Sequence, residues 1–405
     1  MDSSEWRREA ARDSLGRLLP RLETKYQKAL DDIPGRRNRF NSRLNREWER
    51  LFVCLHELYG WQYDFFYTLE QVLDMLIRCW LDRPESMHQL DEQREADPLW
   101  FLSEEMVGMV LYVDLFSDNL SGLRHHISYF EKLGVTYLHL MPLFSVPGGE
   151  NDGGYAVSDY RSVNPELGTM EELSQLATEL RERGISLALD FVFNHTSDEH
   201  EWARRALAGE RELQAYYRMF PDREWPDAYE ATMPEVFAED HPGAFTYVPR
   251  MKKWVWTTFH TYQWDLNYAN PAVFNSMLEE MLFLANQGVE ILRLDAVAFI
   301  WKRLGTNSQN LPEAHWIIQA FNALAKIAAP AVVFKSEAIV HPDEVRKYIS
   351  TEECPLSYNP QLMALLWEAL ATRDTRVLST AMERSFQLPE GCTWVNYVRS
   401  HDDIG

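Results

Sequence analysis

Apolar residues recur at helical spacing through the first part of the chain, up to about residue 95. Three series repeat at about 3.6 residues, and the stretches "DIPGRRN" and "YGW" interrupt the pattern between them. This periodicity predicts an all-helical N-terminal domain over residues 1–98. No cluster of catalytic side chains stands out there, so we expect this domain to be structural.

From about residue 106 the pattern changes to short apolar runs that alternate with amphipathic stretches. Seven runs can be counted, from "VGMVLYVDLFS" to "CTWVNYVRS", if the weak "PLSYN" stretch is included. Runs that are apolar throughout are typical of parallel strands covered by helices on both faces. The order predicts an α/β fold, a (β/α)8 TIM-type barrel that stops before its eighth strand. No glycine-rich phosphate loop follows the first run, which weakens the alternative of a nucleotide-binding open sheet.

A long interruption separates the third apolar run from the fourth. Residues 194–262 hold five prolines and many aromatic residues, with no clean period. Irregular segments of this length inside a compact domain are usually functional. We therefore expect a loop-rich inserted domain here, with the catalytic barrel on either side of it at residues 99–193 and 263–405.

Composition narrows the range of ligands. The 405 residues carry 40 basic and 62 acidic side chains, for a net charge of −22. Such a charge opposes binding to nucleic acid or to anionic lipid. The first residues are charged where a signal peptide would be apolar, so we expect a cytoplasmic protein. The four cysteines have no metal spacing, and we expect reduced thiols.

Polar side chains gather where several apolar runs end. They are Asp190, Asn194 and His195 after the third run, Arg293 and Asp295 in the fourth, Glu337 in the fifth, and His401, Asp402 and Asp403 in the last. Each one alone also fits a structural role, as an ion pair, a helix cap or a solvated end. Because the carboxyl ends of parallel strands meet at one face of a barrel, the set together predicts a catalytic site.

Two carboxylates at such a face suit glycoside chemistry. In a retaining mechanism one carboxylate attacks the anomeric carbon while the other acts first as an acid and then as a base. Asp295 suits the nucleophile because the neighbouring Arg293 would keep it ionised. Glu337 suits the acid/base because it ends an apolar strand, where its pKa would be raised.

At these residues the chain resembles the alpha-amylase family of glycoside hydrolases. The matching segments are "DFVFNH" (190–195), "ILRLDAVAF" (291–299), "VVFKSEAIV" (332–340) and "YVRSHDD" (397–403). Within that family, the long stretch from "TYQWDLNYANP" to "SEAIVHPDEV", the segment "NDGGYAVSDYRSVNPELGTMEEL" and the helical N-terminal region are most similar to the amylosucrase group. The resemblance implies that an eighth strand, a C-terminal domain and an acceptor-site insertion lie outside these residues, and we expect the 405 residues alone to be unstable or weakly active.

The resemblance also implies a role for each site residue. Asp295 would be the nucleophile, Glu337 the acid/base, and Asp402 a ligand of the glucosyl hydroxyls in the transition state. Arg293, His195 and His401 would hold hydroxyls, Tyr155 would stack on the glucosyl ring, and Asp152 would close the pocket. Phe259 would flank the scissile bond. Gln263, Ile339 and Asp403 are weaker candidates for the leaving or acceptor sugar.

The implied reaction transfers glucose from sucrose to the 4-hydroxyl of an alpha-1,4-glucan or maltooligosaccharide and releases fructose. Members of the family often hold structural calcium near the position of Asn194, but no dense carboxylate loop demands it here, so we expect no cofactor and no metal. Three alternatives remain open: a sucrose hydrolase or related alpha-glucosidase, a non-catalytic carbohydrate-binding barrel, and a nicotinamide-dependent barrel enzyme. The sequence leaves the oligomeric state open.

Overall fold

The N-terminal part of the chain is helical, as predicted. The computed structural model describes residues 3–239, 241–385 and 387–401. The helices here are α1 (Ser3–Lys25), α2 (Gln27–Asp31), α3 (Pro34–Tyr59), α4 (Phe65–Leu81) and α5 (Glu85–Ala96). Along α3 the buried residues Leu44, Trp48, Leu51, Leu55 and Leu58 recur at three- and four-residue intervals, so one face of the helix enters the core.

Within the described part of the chain, seven parallel strands form the central sheet, and they correspond to the seven predicted runs. They are β1 (Gly108–Leu111), β2 (Tyr137–Leu140), β5 (Ser186–Phe191), β11 (Ile291–Leu294), β12 (Val333–Ser336), β13 (Leu356–Tyr358) and β14 (Thr393–Val395), in that order across the sheet. The predicted α/β fold with a parallel barrel-type sheet is confirmed. The first strand is shorter than the predicted run: it ends at Leu111, and the segment "VDLFS" is helical.

Helices connect these strands and cover the sheet. They are α6 (Val113–Ser117), α7 (Leu120–Arg124), α8 (Ile127–Lys132), α9 (Met170–Glu182), α13 (Pro271–Asn286), α14 (Pro312–Ala328), α15 (Pro342–Val345), α16 (Pro360–Thr372) and α17 (Arg376–Ser385). The predicted capping box at the start of α9 is confirmed: Thr169 accepts from the backbone N–H of Glu172, whose carboxylate accepts from the N–H of Thr169. Among the described helices, none is long and apolar enough to cross a membrane.

The segment between β5 and α13 has more regular structure than its sequence indicated. It holds β6 (His195–Ser197), α10 (Glu201–Leu207), α11 (Arg211–Gln214), β7 (Met219–Phe220), α12 (Glu224–Glu230), β8 (Phe245–Val248), β9 (Lys253–Trp256) and β10 (Gln263–Asp265). β7, β9 and β8 form an antiparallel sheet, and β6 pairs with β10. A further short pair, β3 (Phe144–Ser145) with β4 (Asp159–Val163), precedes α9. Elements of two to seven residues are too short to produce a readable hydrophobic period.

The helical region is joined to the barrel by buried polar contacts. Arg83 forms a fully buried ion pair with Asp91 (2.8 Å) and donates to the carbonyl of Ala285 at the end of α13 (3.0 Å). Asp91 accepts in turn from the N–H of Ala331, just before β12 (3.1 Å). α3 also packs along α14, where Arg50 donates to the side chain of Asn322.

The sheet curls so that side chains from non-adjacent strands meet in its interior. Lys335 on β12 donates to the hydroxyl of Tyr137 on β2, although β5 and β11 lie between these two strands. This curvature gathers the polar side chains of the central strands into one buried interior, which forms the base of the candidate site.

Candidate active site

Two layers of polar side chains project into the barrel interior from neighbouring strands. Asp190 on β5, Arg293 on β11 and Lys335 on β12 are register partners, so they point to the same side of the sheet at the same level. Asp295 and Glu337 follow Arg293 and Lys335 by two residues and therefore form the next layer up, at the carboxyl ends of their strands.

Arg293 joins the two layers. Its Nη1 lies 2.6 Å from Oδ1 of Asp190 and 2.6 Å from Oδ1 of Asp295, and its Nη2 donates to Oε1 of Glu337. The side chain is buried, and its Nε has no hydrogen-bond partner among the described residues. One guanidinium therefore holds three carboxylates, and both predicted catalytic carboxyls lie within reach of a single sugar ring.

The charges in this cluster shift one another's pKa values. Burial alone would raise the pKa of Asp190, but Arg293 and His139 outweigh it and lower the pKa well below the usual range. Burial lowers the pKa of Arg293, but the negative charges of Asp190 and Glu337 outweigh burial and hold this pKa well above its usual value. Both groups are therefore ionised at neutral pH.

Asp295 behaves differently from the sequence-based expectation. Burial raises the pKa of its carboxyl well above the usual value, and repulsion from Glu337 adds to the rise. Arg293 acts in the opposite direction but does not prevail, because it shares its charge with two other carboxylates. Arg293 alone therefore does not keep Asp295 ionised.

A strained turn follows the nucleophile candidate. Ala296 has φ of 50°, in the left-handed region that residues with a Cβ seldom occupy. The turn aims the N–H of Ala296 at Oε2 of Glu337 (3.1 Å) and leads into a single helical turn, Val297–Phe299. Both oxygens of Glu337 thus accept hydrogen bonds, which fix the position of its carboxyl group.

Tyr155 forms one wall of the site. The Arg293 guanidinium lies 5.4 Å from the centre of its ring, and its hydroxyl donates to Asp190 (3.4 Å). His195 bonds to the backbone carbonyl of Tyr155 (3.2 Å), and the ring of His401 stacks on the tyrosine at 5.4 Å. Tyr155, His195, Arg293 and His401 therefore lie around the same space as the carboxyl pair.

The inserted segment supplies a second wall. The ring of Phe259 packs against His195 at 5.3 Å and against Phe299 at 5.2 Å. Gln263, fully buried on β10, donates to Oδ2 of Asp152 (3.0 Å). Asp152 has φ of 54° and also faces His260 (3.6 Å), so its carboxylate is held between two side chains of the insertion.

The remaining predicted residues are not placed in this cluster. Ile339, two residues after Glu337, is 52% exposed. Asp402 and Asp403 lie outside the described residues. Sequence reasoning missed His139, Lys335, Phe299 and His260. A signal was available for His139 and Lys335, because each lies inside an apolar strand, where a polar side chain needs a partner.

The position that the family resemblance associates with calcium is occupied by a lysine. The ammonium of Lys302 lies 2.6 Å from Oδ2 of Asp265, 2.8 Å from Oδ1 of Asn194 and 2.6 Å from the carbonyl of Phe299. Thr258 donates to both oxygens of Asp265. A divalent ion does not fit here, because the cation position is filled and the carboxylate is saturated. The described residues contain no cluster of His, Cys, Asp and Glu suited to a metal ion.

Comparison with known proteins identifies the family of the chain. The family model described as "Alpha amylase, catalytic domain" matches residues 91–404. The chain belongs to the alpha-amylase family. A trehalose synthase of Pimelobacter sp. is 33% identical over 298 residues, 71% of this chain and 51% of that protein. A glucosylglycerate phosphorylase of Spirochaeta thermophila is 32% identical over 70% of this chain and 46% of that protein. The chain thus spans about half the length of these alpha-amylase family relatives.

Solved structures of the family show the same architecture. A mutant of MutB in complex with the substrate sucrose is 25% identical and superposes with a TM-score of 0.57, covering 64% of this chain and 50% of the other. MutB is a trehalulose synthase. The match to the alpha-amylase family therefore rests on both sequence and fold.

Proposed function

We propose that the protein is a retaining glucosyltransferase of the amylosucrase type. It would take a glucosyl unit from sucrose, release fructose and pass the glucose to the 4-hydroxyl of an alpha-1,4-glucan or maltooligosaccharide. The observation that carries the proposal is the attachment of Asp295 and Glu337 to one guanidinium, that of Arg293. The sucrose complex of the structural neighbour MutB supports the choice of donor.

The reaction needs two displacements at one carbon. Asp295 attacks the anomeric carbon while the bond to the fructosyl oxygen breaks and Glu337 gives that oxygen its proton. The acceptor hydroxyl then attacks the same carbon, its proton passes to Glu337, and the ester bond to Asp295 breaks. Atoms and protons balance, and the two inversions retain the alpha configuration.

In the free centre the Asp295 carboxyl favours its protonated form, because burial and the neighbouring Glu337 raise its pKa. The first displacement requires this carboxyl to be ionised. Donor binding would therefore favour loss of the proton from Asp295, because a sugar hydroxyl can donate to the ionised carboxylate.

The walls of the site suit a single glucosyl unit. The buried ring of Tyr155 offers an apolar face to the sugar, and His195 lies beside it. Asp152, fixed by Gln263 and His260, supplies a carboxylate for hydroxyl groups at the closed end. Phe259 and Phe299 would border the site of bond cleavage.

The decisive experiment follows the sugars that the complete gene product makes from sucrose, with and without glycogen. Fructose release together with elongation of the glucan supports the proposal. Equal amounts of free glucose and fructose indicate a sucrose hydrolase. Turnover of other alpha-glucosides without any release of fructose from sucrose contradicts the choice of donor, and binding without turnover indicates a carbohydrate-binding protein.

A second candidate function is isomerisation of a small alpha-glucoside. Its support is the set of trehalose synthases among the relatives, including those of Pimelobacter sp. at 33% and Thermus thermophilus at 31% identity. The same two carboxyls would act, but the cleaved sugar would be re-attached through a different hydroxyl before it left. Incubation with maltose separates the candidates. An isomerase converts maltose into non-reducing trehalose, so the number of reducing ends falls, whereas hydrolysis raises it.

A further inference from the structure

A chain of buried polar groups leads from the floor of the barrel to the catalytic layer. Lys335 and His139 are each 1% exposed, and they lie on β12 and β2, which are not neighbours in the sheet. Neither touches Asp295 or Glu337 in any described contact. Burying an ammonium and an imidazole is costly unless both are held by partners, so their contacts indicate what the pair does.

The ammonium of Lys335 has three acceptors for its three protons. They are the hydroxyl of Tyr137, the hydroxyl of Tyr358 (2.8 Å) and Nδ1 of His139 (3.4 Å). Because an ammonium only donates, the lone pair of His139 must lie on Nδ1. The proton of the neutral imidazole is therefore on Nε2, which faces Oδ2 of Asp190 at 2.9 Å.

This tautomer continues the chain upward. His139 donates to one oxygen of Asp190, and the other oxygen, Oδ1, lies 2.6 Å from Nη1 of Arg293. The same Nη1 donates to Asp295, and the other terminal nitrogen donates to Glu337. The orientation of the guanidinium that holds both catalytic carboxyls is thus fixed from below by Asp190.

We propose that Lys335 and His139 are positioning residues of the transfer centre: the ammonium fixes the His139 tautomer, the imidazole holds Asp190, and Asp190 holds Arg293 in line with Asp295 and Glu337. The inference rests on the proposed function and goes beyond it, since it assigns work to two side chains that touch no substrate.

The charge of Lys335 also acts on the carboxyl pair. The groups that face it are Tyr137 and His139 on β2, Asp190 on β5, Arg293 on β11, Tyr358 on β13 and Glu337 beyond its own strand. Burial and Arg293 lower the pKa of Lys335 to about 7, and burial and Lys335 lower that of His139 to about 4. On the acid side of a rate profile, Lys335 is therefore protonated and His139 stays neutral down to about pH 4.

The test compares Lys335→Met with the wild type in the complete gene product, using alpha-glucosyl fluoride as the donor. Fluoride departs without a proton from Glu337, so the acid limb reports protonation of the nucleophile Asp295. We expect kcat to fall about tenfold or more with KM within about threefold, because Lys335 does not touch the sugar. Loss of the cation destabilises the ionised carboxylate, so the acid limb should move to higher pH by about 0.5 to 1 unit.

Two further comparisons separate positioning from packing. Lys347→Met removes the same charge at an exposed site paired with Glu344, and it should leave kcat and the acid limb unchanged. The amide of His139→Gln can still donate to Asp190, so it should keep kcat within about threefold, whereas His139→Leu should lose activity as Lys335→Met does. Thermal unfolding of each variant shows whether activity merely follows stability.

The outcomes divide cleanly. Wild-type rates and an unmoved acid limb in Lys335→Met overturn the inference, and so does equal loss of activity in His139→Gln and His139→Leu. If Lys335→Met does not fold, the His139 pair decides alone. If the wild type releases no fluoride, the proposed function itself fails and the inference falls with it, whereas fluoride release with unaffected variants removes the inference only.

Discussion

Two buried arginines in this molecule are used in opposite ways. Arg83, between the N-terminal helices and the barrel, meets one carboxylate, Asp91, through two bonds of 2.8 Å, and its third nitrogen donates to Ala285 and Asn286. Arg293, in the barrel interior, meets three carboxylates and leaves its Nε without a partner among the described residues.

The difference distinguishes a structural ion pair from a reactive one. Around Arg83 one cation meets one carboxylate and each polar atom of the pair has a partner. Around Arg293 three carboxyls meet one guanidinium, and burial together with the neighbouring Glu337 raises the pKa of Asp295. A cluster in that state takes up and gives back a proton readily, which is what an acid/base pair requires.

The largest effect is expected at the catalytic layer. Asp295→Asn and Glu337→Gln should each lower turnover by several orders of magnitude, because the nucleophile or the proton donor is lost. Folding should be little affected, because each amide is nearly isosteric with the carboxyl that it replaces and can still accept a hydrogen bond from Arg293. Steady-state rates and thermal unfolding on the same samples check both parts. Near-normal rates in either variant would refute the role assignment.

The next largest effect concerns Arg83 and stability. Asp91→Asn breaks a fully buried pair and leaves the guanidinium uncompensated, so the free energy of unfolding should fall by about 3–5 kcal/mol. Turnover per folded molecule should not change. Urea unfolding measures this loss of stability. The control is Arg183→Met, which breaks an exposed ion pair with Glu131 and should therefore differ little from the wild type. Equal stability in Asp91→Asn and the wild type would contradict the balance we assign to this pair.

Exchange of each arginine for lysine sharpens the contrast. A single ammonium cannot bridge three carboxylates, so Arg293→Lys should reduce kcat by about 100-fold with only a modest change in melting temperature. Arg83→Lys should do the reverse: the melting temperature should fall while kcat stays close to the wild-type value. If both substitutions affect the same quantity, the two arginines are not functionally distinct.

The smallest effect is a pH dependence of stability shared by both regions. Burial lowers the pKa of His88, beside Asp91, and of His139, beside Asp190, to about 4. Between pH 6.5 and 4 the unfolded chain takes up protons that the folded chain does not, so stability falls as the pH falls, by about 1.4 kcal/mol per unit for each histidine. Above pH 6.5 neither contributes.

Urea unfolding at pH 7 and pH 5 measures this slope. His88→Gln and His139→Gln should each make it shallower, and by similar amounts, although one histidine belongs to the helical region and the other to the barrel. An unchanged slope in either variant would show that the histidine is protonated in the folded state as well.

The sequence predicted the upper layer of the site and, in the lower layer, Asp190 and Arg293, but it did not predict Lys335 or His139. Asp295 and Glu337 could be found because polar residues at the ends of apolar runs must meet at one face of a parallel barrel. His139 and Lys335 meet only because the sheet curls, and 196 residues separate them. No local pattern encodes such a contact between β2 and β12, so periodicity could not reveal it.

The inserted segment shows a second limit. Its strands are two to four residues long and pair within the segment, so apolar residues such as Trp256 and Val255 do not recur at any helical or strand period long enough to read. The pKa of Asp295 escaped prediction for a related reason. Its direction depends on the burial of the carboxyl and on the approach of Glu337 from the neighbouring strand, and both arise only in the folded sheet.

Lys302 connects the inserted segment to the barrel without a metal ion. Its ammonium contacts Asn194 after β5, Asp265 on β10 and the turn after β11 at the same time. Because this cation is a side chain of the polypeptide, it cannot dissociate on dilution or be removed by a chelator. Once the turn after β11 has folded, the contacts of Lys302 hold the walls of the candidate site together without any ligand from solution.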